Sequence, residues 1–248
     1  LSALFDKPDH EIDLLRAALL VAKLDNEEVD VEAYIDEVAR MADDVRGRFK
    51  KGMTDDAKLA VLNKYLYDEN GFHGSRRDYY NRSNSYLNEV IDDREGLPIT
   101  LAVLYVEVGR RAGLSLAGVS LPGHFLAAIV GEDRQVAKWL DPYDGGKSLT
   151  EEEAKRRSIE ITGREPNDEQ LQPVAKRAIV LRMLENLLNL AGNDQERMRM
   201  SGYLDVILAL NPENLERRMI RAMIRYQSGL LDEAIVDVDY LLEHHRDE

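Results

Sequence analysis

Between residues 96 and 131 the only charged side chains are Glu107, Arg110 and Arg111, in a chain where 32% of all residues are charged. A stretch this long and this apolar has to be covered on most sides, so the rest of the chain is arranged by the need to bury it. Its first half has helical spacing, with Leu101, Leu104, Tyr105, Val108 and Ala112 at three- and four-residue steps. Pro98 suits the first turn, where the N–H it lacks would be unpaired anyway. Arg110 and Arg111 complement the carbonyl end, and Gly113 supplies a stop. The spacing predicts a buried helix over 98–112.

After Gly113 the period changes from helical to alternating. Strands are predicted over 116–120, 124–130 and 135–141, the last two joined by the turn Gly131-Glu132-Asp133-Arg134. With those four residues in the turn, Val130 pairs with Gln135 and His124 stands directly opposite Asp141. Directly opposed residues have Cβ atoms about 4.5–5.5 Å apart, within reach of an Asp–His hydrogen bond. A slip of one residue would put the two on opposite faces.

Amphipathic helices flank this core. Upstream, one is predicted over 31–49 from Ile35, Val38, Ala42, Val45 and Phe49, with Asp30 as N-cap, and another over 54–67 from Leu59, Leu62 and Leu66. The polar stretch 74–84 then carries a basic, aromatic cluster, Arg76, Arg77, Tyr79, Tyr80 and Arg82. Arg76, Arg77 and Arg82 are candidates for holding a phosphate or an acidic tail, against the alternative of a loop neutralised by nearby carboxylates. Downstream, helices are expected over 178–190, 195–210, 213–226 and 231–244, with turns at Gly192-Asn193-Asp194 and Ser228-Gly229. Gly192 and Gly229 lie 37 residues apart, close to the 34-residue tetratricopeptide spacing. Two such units are too few for a free solenoid, so they are expected to pack on the preceding domain.

Composition limits the chemistry. With 33 Lys+Arg against 47 Asp+Glu the formal charge is −14, which opposes binding to nucleic acid or to anionic membranes. The absence of cysteine excludes disulfides, thiolate metal sites and a thiol nucleophile. His10, His73, His124, His244 and His245 show no metal-binding spacing, and Asp144-Gly145-Gly146 reads as a turn rather than a phosphate loop, so neither metal nor cofactor is expected. No apolar run nears the roughly 18 residues needed to span a bilayer, and a soluble, cytoplasmic protein is expected.

Three motifs resemble the SirB family, a divergent branch of the transglutaminase-like superfamily commonly followed by tetratricopeptide-type helices. They are Asn84-Ser85-Tyr86-Leu87-Asn88-Glu89-Val90-Ile91, Arg94-Glu95-Gly96-Leu97-Pro98-Ile99-Thr100-Leu101 and Leu121-Pro122-Gly123-His124-Phe125-Leu126. The resemblance implies an α+β fold with a transglutaminase-like (papain-like) core, a small antiparallel sheet and N-terminal helices, followed by TPR-like α-hairpins. The corresponding divisions are 1–75 for the N-terminal helical part of the core domain, 76–170 for the transglutaminase-like core and 171–248 for the TPR-like region. Enzymes of that superfamily use a Cys at a helix start, a His on a following strand and an Asp on the next. In their pattern a small residue comes four after the Cys, a basic residue twelve after and a Gly fifteen after. Ala102, Arg110 and Gly113 all count back to Pro98, while His124 and Asp141 fall on the His and Asp positions. The resemblance therefore implies a retained base and orienter without the nucleophile. Proline has no nucleophilic atom and no N–H to offer an oxyanion. Thr100, two residues along, is rotated by about 200° and points away from His124.

Several readings follow from these residues. His124 is either a core histidine satisfied by Asp141, or part of a pocket with Asn84, Tyr86, Thr100 and Asp141 that binds a peptide, a carboxylate or a small metabolite. The leading functional expectation is a noncatalytic interaction or regulatory module that binds a protein or peptide through its C-terminal helices. The alternative is a hydrolase or transferase in which His124 and Asp141 act on water or a substrate nucleophile. Thiol-dependent transglutaminase or protease activity is excluded for this chain.

Overall fold

The computed structural model describes residues 1–131, 135–191 and 196–244. Helices α1 (Leu14–Ala22), α2 (Val31–Gly47) and α3 (Asp55–Asn63) lead to strand β1 (His73–Gly74), helix α4 (Leu87–Asp93), strand β2 (Glu95–Gly96) and helix α5 (Pro98–Ala112). Strands β3 (Leu116–Leu121), β4 (His124–Val130), β5 (Val136–Asp141) and β6 (Lys147–Leu149) follow, then helix α6 (Glu151–Thr162). Four helices close the chain: α7 (Lys176–Leu190), α8 (Arg197–Leu210), α9 (Leu215–Gln227) and α10 (Leu231–His244). No helix among the described residues is long and apolar enough to cross a membrane.

Helix α5 lies where its composition demands. Thirteen of its residues are buried, beneath α1, α2, α4 and α7 on some sides and against β3 and β4 on another. Pro98 opens it and Gly113 closes it, as the sequence predicts. Its one buried acid, Glu107, is answered one turn later by Arg111, and by Arg110 at 3.9 Å.

The larger sheet is an antiparallel meander in the order β3-β4-β5-β6. β3 and β4 are joined by Pro122-Gly123 alone, with Leu121 paired to His124. Gly123 has φ +73°, and a Cβ there would stand 2.6 Å from Ile161 and Thr162 of α6, so glycine is required by both conformation and space. One face of β4 rests on α5. The other is covered by a smaller apolar cluster of Val119, Leu121, Leu126, Ala128, Leu149, Ala154 and Leu171. A strand buried on both faces reads as a nearly continuous apolar run, and His-Phe-Leu-Ala-Ala-Ile-Val does.

The N-terminal helices match their spacing with two local differences. Asp30 caps α2, accepting the Ala33 N–H at 3.1 Å. The helix ends at Gly47 rather than residue 49, because the Arg48 and Phe49 N–H groups donate three residues back, to Val45 (3.1 Å) and Arg46 (3.0 Å). The helix predicted over 54–67 is regular only as far as Asn63, and Lys64–Glu69 widens into a π turn. Asn63, at the junction, accepts the Tyr105 hydroxyl (2.7 Å) and donates to the Gly146 carbonyl (3.0 Å), tying this segment to α5 and to the end of the sheet.

The four C-terminal helices form successive packed pairs. Helix α7 contributes Ile179, Val180, Met183 and Leu184 to a buried apolar cluster that runs from Phe5 to Ile224. The turn expected at Gly192-Asn193-Asp194 lies outside the described residues, as do Glu132, Asp133 and Arg134 of the hairpin turn, and His245.

Asp25, just past α1, ties three parts of this arrangement together. Its Oδ2 accepts the hydroxyls of Tyr86, at the entrance to α4, and of Tyr203, on α8. Burial first, and the hydrogen bond to Asp25 second, push the Tyr203 phenol up to about 12. An unfolded phenol loses its proton near pH 10, so the folded state favours the neutral form. Its contribution is complete below about pH 10 and is lost as pH rises toward about 12. Tyr203→Phe should therefore cost about 1–3 kcal/mol in urea unfolding at pH 8, the worth of a hydrogen bond to a charged group. It should also flatten the loss of stability between pH 10 and 12. Unchanged stability at pH 8 would sink this account of the latch.

Candidate functional site

His124 opens β4 and Asp141 ends β5, and the two side chains meet. The His124 Nε2 and Asp141 Oδ2 are 3.0 Å apart, with His124 4% exposed and Asp141 fully buried. The register that brings them together corrects the predicted one. Ala127 pairs with Leu140, Ala128 with Trp139 and Ile129 with Lys138, and an irregularity then sets Val130 opposite Val136 instead of Gln135. Extended outward, that register puts Leu126 opposite Asp141 and leaves His124 on the diagonal, two places away. An even offset keeps both side chains on one face, and a ring spans the diagonal.

Asp141 is surrounded by donors. Besides His124, its Oδ2 is 3.2 Å from the Arg157 guanidinium of α6. Its Oδ1 accepts the N–H groups of Tyr143 (3.1 Å) and Asp144 (3.3 Å), capping the short turn Pro142–Asp144. Arg157 reaches Asp144 as well, at 3.3 Å. A carboxylate held on both oxygens fixes the imidazole from one side, leaving Nδ1 as the nitrogen available for a second partner.

Among the described residues, neither Pro98 nor Thr100 at the start of α5 supplies a free nucleophile. Pro98 is buried at the first helical position. The Thr100 hydroxyl is fully buried and engaged, accepting the Leu97 N–H (3.0 Å) and donating to the Asn84 carbonyl (2.8 Å). Asn84 is also buried, and its Nδ2 donates to the Asp78 carbonyl at 2.8 Å. Thr100 and Asn84 thus fasten the polar 78–84 stretch to the helix start. Tyr86 lies elsewhere, on Asp25.

The basic cluster is divided in the same way. Arg82 pairs with Glu196 at 2.6 Å, beside Tyr86 and Asp25. Arg76 and Arg77 instead line a cleft of about 610 Å³ together with Tyr67, Phe72, His73 and Tyr143. Arg76 is 3.6 Å from the Asp144 carboxylate. Among the described residues no group of three or more His, Asp or Glu could hold a metal ion.

Tyr143 both lines this cleft and meets His124, and sequence reasoning missed it. Its ring meets His124 edge-on at 6.0 Å, and its hydroxyl donates to the Ser75 carbonyl. Gly74 makes room for that ring, since a Cβ at Gly74 would come within 2.6 Å of it. Tyr67 forms part of the cleft wall, its phenol held well above the ordinary range by burial and, secondarily, by Tyr105 and Asp141. The sequence offered one signal for Tyr143, its place two residues after Asp141. It offered none for Arg157, which reaches Asp141 from α6.

A family model described as the transglutaminase-like superfamily matches residues 32–185. A UPF0162 protein of Xylella fastidiosa (strain Temecula1) is 33% identical over 240 residues, which is 95% of this chain and 85% of that protein. A UPF0162 protein of Vibrio cholerae is 25% identical over 244 residues, 97% of this chain and 89% of that protein. The F-box only protein 21 of Homo sapiens is 30% identical over 184 residues, 71% of this chain and 29% of that protein. No solved structure matches the chain.

Replacing Asp141 by Ala should destabilise the fold by about 3–5 kcal/mol, because His124 and Arg157 would lose the buried group that holds them. Gly74→Ala should be destabilising too, through displacement of Tyr143 rather than loss of charge. Urea unfolding of both variants checks this, and a loss below about 1 kcal/mol for Asp141→Ala would contradict a structural role for the carboxylate.

Proposed function

This chain belongs to the transglutaminase-like superfamily and to the UPF0162 family, and from that premise we propose that it is a noncatalytic binding or regulatory module that takes a protein or peptide partner on its C-terminal helices. The observation that carries the reading is the start of α5. There Pro98 occupies the place where the superfamily resemblance calls for a nucleophile, and His124, the first residue of β4, is buried against Asp141 and edged by Tyr143. With proline at the helix start and the Thr100 hydroxyl engaged by Leu97 and Asn84, the buried imidazole has no protein nucleophile there to deprotonate. The Asp141 carboxylate, held by four donors, then serves packing.

Two further observations support a binding role. The stretch shared with F-box only protein 21 is less than a third of that protein, so a related unit is carried there as one part of a longer chain. The C-terminal pairs also suit the tetratricopeptide-type reading suggested by the SirB resemblance, because their second helices begin 34 residues apart, at Arg197 and Leu231. Helix pairs of that kind build surfaces suited to peptide capture. The division into 1–75, 76–170 and 171–248 goes with this reading, as does a cytoplasmic setting. The competing reading, a hydrolase or transferase, draws its support from the intact 3.0 Å His–Asp contact.

Affinity capture with mass spectrometry on the wild-type chain, His124→Ala and the surface variant Ile235→Glu separates the two, each protein first checked for folding. A binding module keeps the same partner in His124→Ala and loses it in Ile235→Glu. Parallel assays with amide and ester substrates should show no His124-dependent turnover, and such turnover would overturn the proposal.

A further inference from the structure

Eight of the fourteen large apolar side chains that the described residues leave exposed belong to α9 and α10. Their spacing is regular. On α9 they are Met219, Met223 and Tyr226, each one residue past a position, Arg218, Ala222 or Arg225, that helps face α10. On α10, Ile235 and Val238 each come one residue past a buried position, Ala234 or Asp237, and Leu231 and Leu242 extend the same stripe. In two antiparallel helices that pack face to face, the stripe one residue past each facing position turns to the same side of the pair. The two rows therefore share one outer face, with side chains between 44% and 68% exposed. An apolar strip of this kind marks an interaction site in a folded protein.

The charges beside the strip say what can cover it. Three of the four cations of α9 are turned into the hairpin, where Arg218, Arg221 and Arg225 surround the fully buried Asp237 at 3.3, 2.5 and 2.9 Å, and the fourth, Arg217, pairs with Glu185 of α7 at 2.8 Å. Arg221 and Arg225 also hold Asp205 of α8. Helix α10 contains no Lys or Arg. The row next to its apolar stripe consists of Asp232, Val236, Asp239 and Glu243, all exposed, and the three acids have no ion-pair partner among the described residues. A second copy docked through the same face would bring like charges together, and an anionic lipid surface would be repelled.

We infer that this face takes an amphipathic helix of a partner protein whose apolar stripe is flanked by Lys or Arg. The apolar row of the partner lies along Met223 and Ile235, and its basic flank lies along Asp232, Asp239 and Glu243. This rests on the reading of the C-terminal helices as the partner surface, and narrows it to one chemistry.

The test uses the full chain and three synthetic helical peptides of about 20 residues, identical in their leucine stripe and flanked by Lys, Ser or Glu. Fluorescence anisotropy should rank them Lys, then Ser, then Glu, with about tenfold or more between the ends at low salt and a smaller gap at high salt. Ile235→Glu should abolish binding. The triple variant Asp232→Lys, Asp239→Lys, Glu243→Lys should reverse the order. All these side chains are exposed, so folding is not at stake, and circular dichroism verifies it. No dependence on flank charge, no binding of any peptide, or binding that survives Ile235→Glu overturns the inference. Self-association that Ile235→Glu removes overturns it in favour of a second copy. If flank charge has no effect while Ile235→Glu still loses the cellular partner, the charge class fails and the surface survives. If Ile235→Glu keeps that partner, both fail.

Discussion

A helix with no polar face cannot lie on a surface, and the fold is organised around α5 for that reason. Its thirteen buried residues need cover from every direction, which the N-terminal helices, α7 and the sheet supply between them. The sheet inherits the same condition one layer out. β4 rests on α5 and is roofed by a smaller apolar cluster, so it carries apolar residues on both faces. Helix α6, Pro122-Gly123 and the Trp139 indole, which donates to the Leu171 carbonyl at 3.0 Å, hold that roof in place.

The His–Asp pair sits at the seam between these layers. Asp141 receives the imidazole of β4, the guanidinium of α6 and two N–H groups of the turn that follows β5. A buried carboxylate survives only with such company, and its donors come from three different parts of the seam. The arrangement that orients a base in an enzyme is, in this chain, also a structural junction.

The C-terminal hairpin follows a different logic. Its one buried acid, Asp237, is enclosed by three arginines, and its outer side is apolar along one row and acidic along the next. The interior of the molecule leaves its polar atoms mostly engaged with one another. The hairpin leaves an apolar row exposed beside an acidic one.

Much of the architecture was legible beforehand because it rests on local rules. The limits of α5, the Asp30 cap of α2 and the span of β4 each depend on spacing, on a capping oxygen or on a proline and a glycine, all of which act within a few residues. The same is true of the even parity that keeps His124 and Asp141 on one face. What the sequence could not supply were contacts between distant segments. One place of the two-place shift in the hairpin register is already present where Val130 stands opposite Val136, and an irregularity between Ile129 and Val130 adds the other. The π turn after Asn63 is tied to α5 and to Gly146, and Arg157 on Asp141, Tyr143 beside His124 and the parting of Arg82 from Arg76 and Arg77 join segments far apart in the chain. Composition and periodicity determined which surfaces had to be buried and that no thiol chemistry was available. Only the packed tertiary structure decided which partner each buried polar group met, because that depends on where whole elements come to rest, and no local preference encodes it.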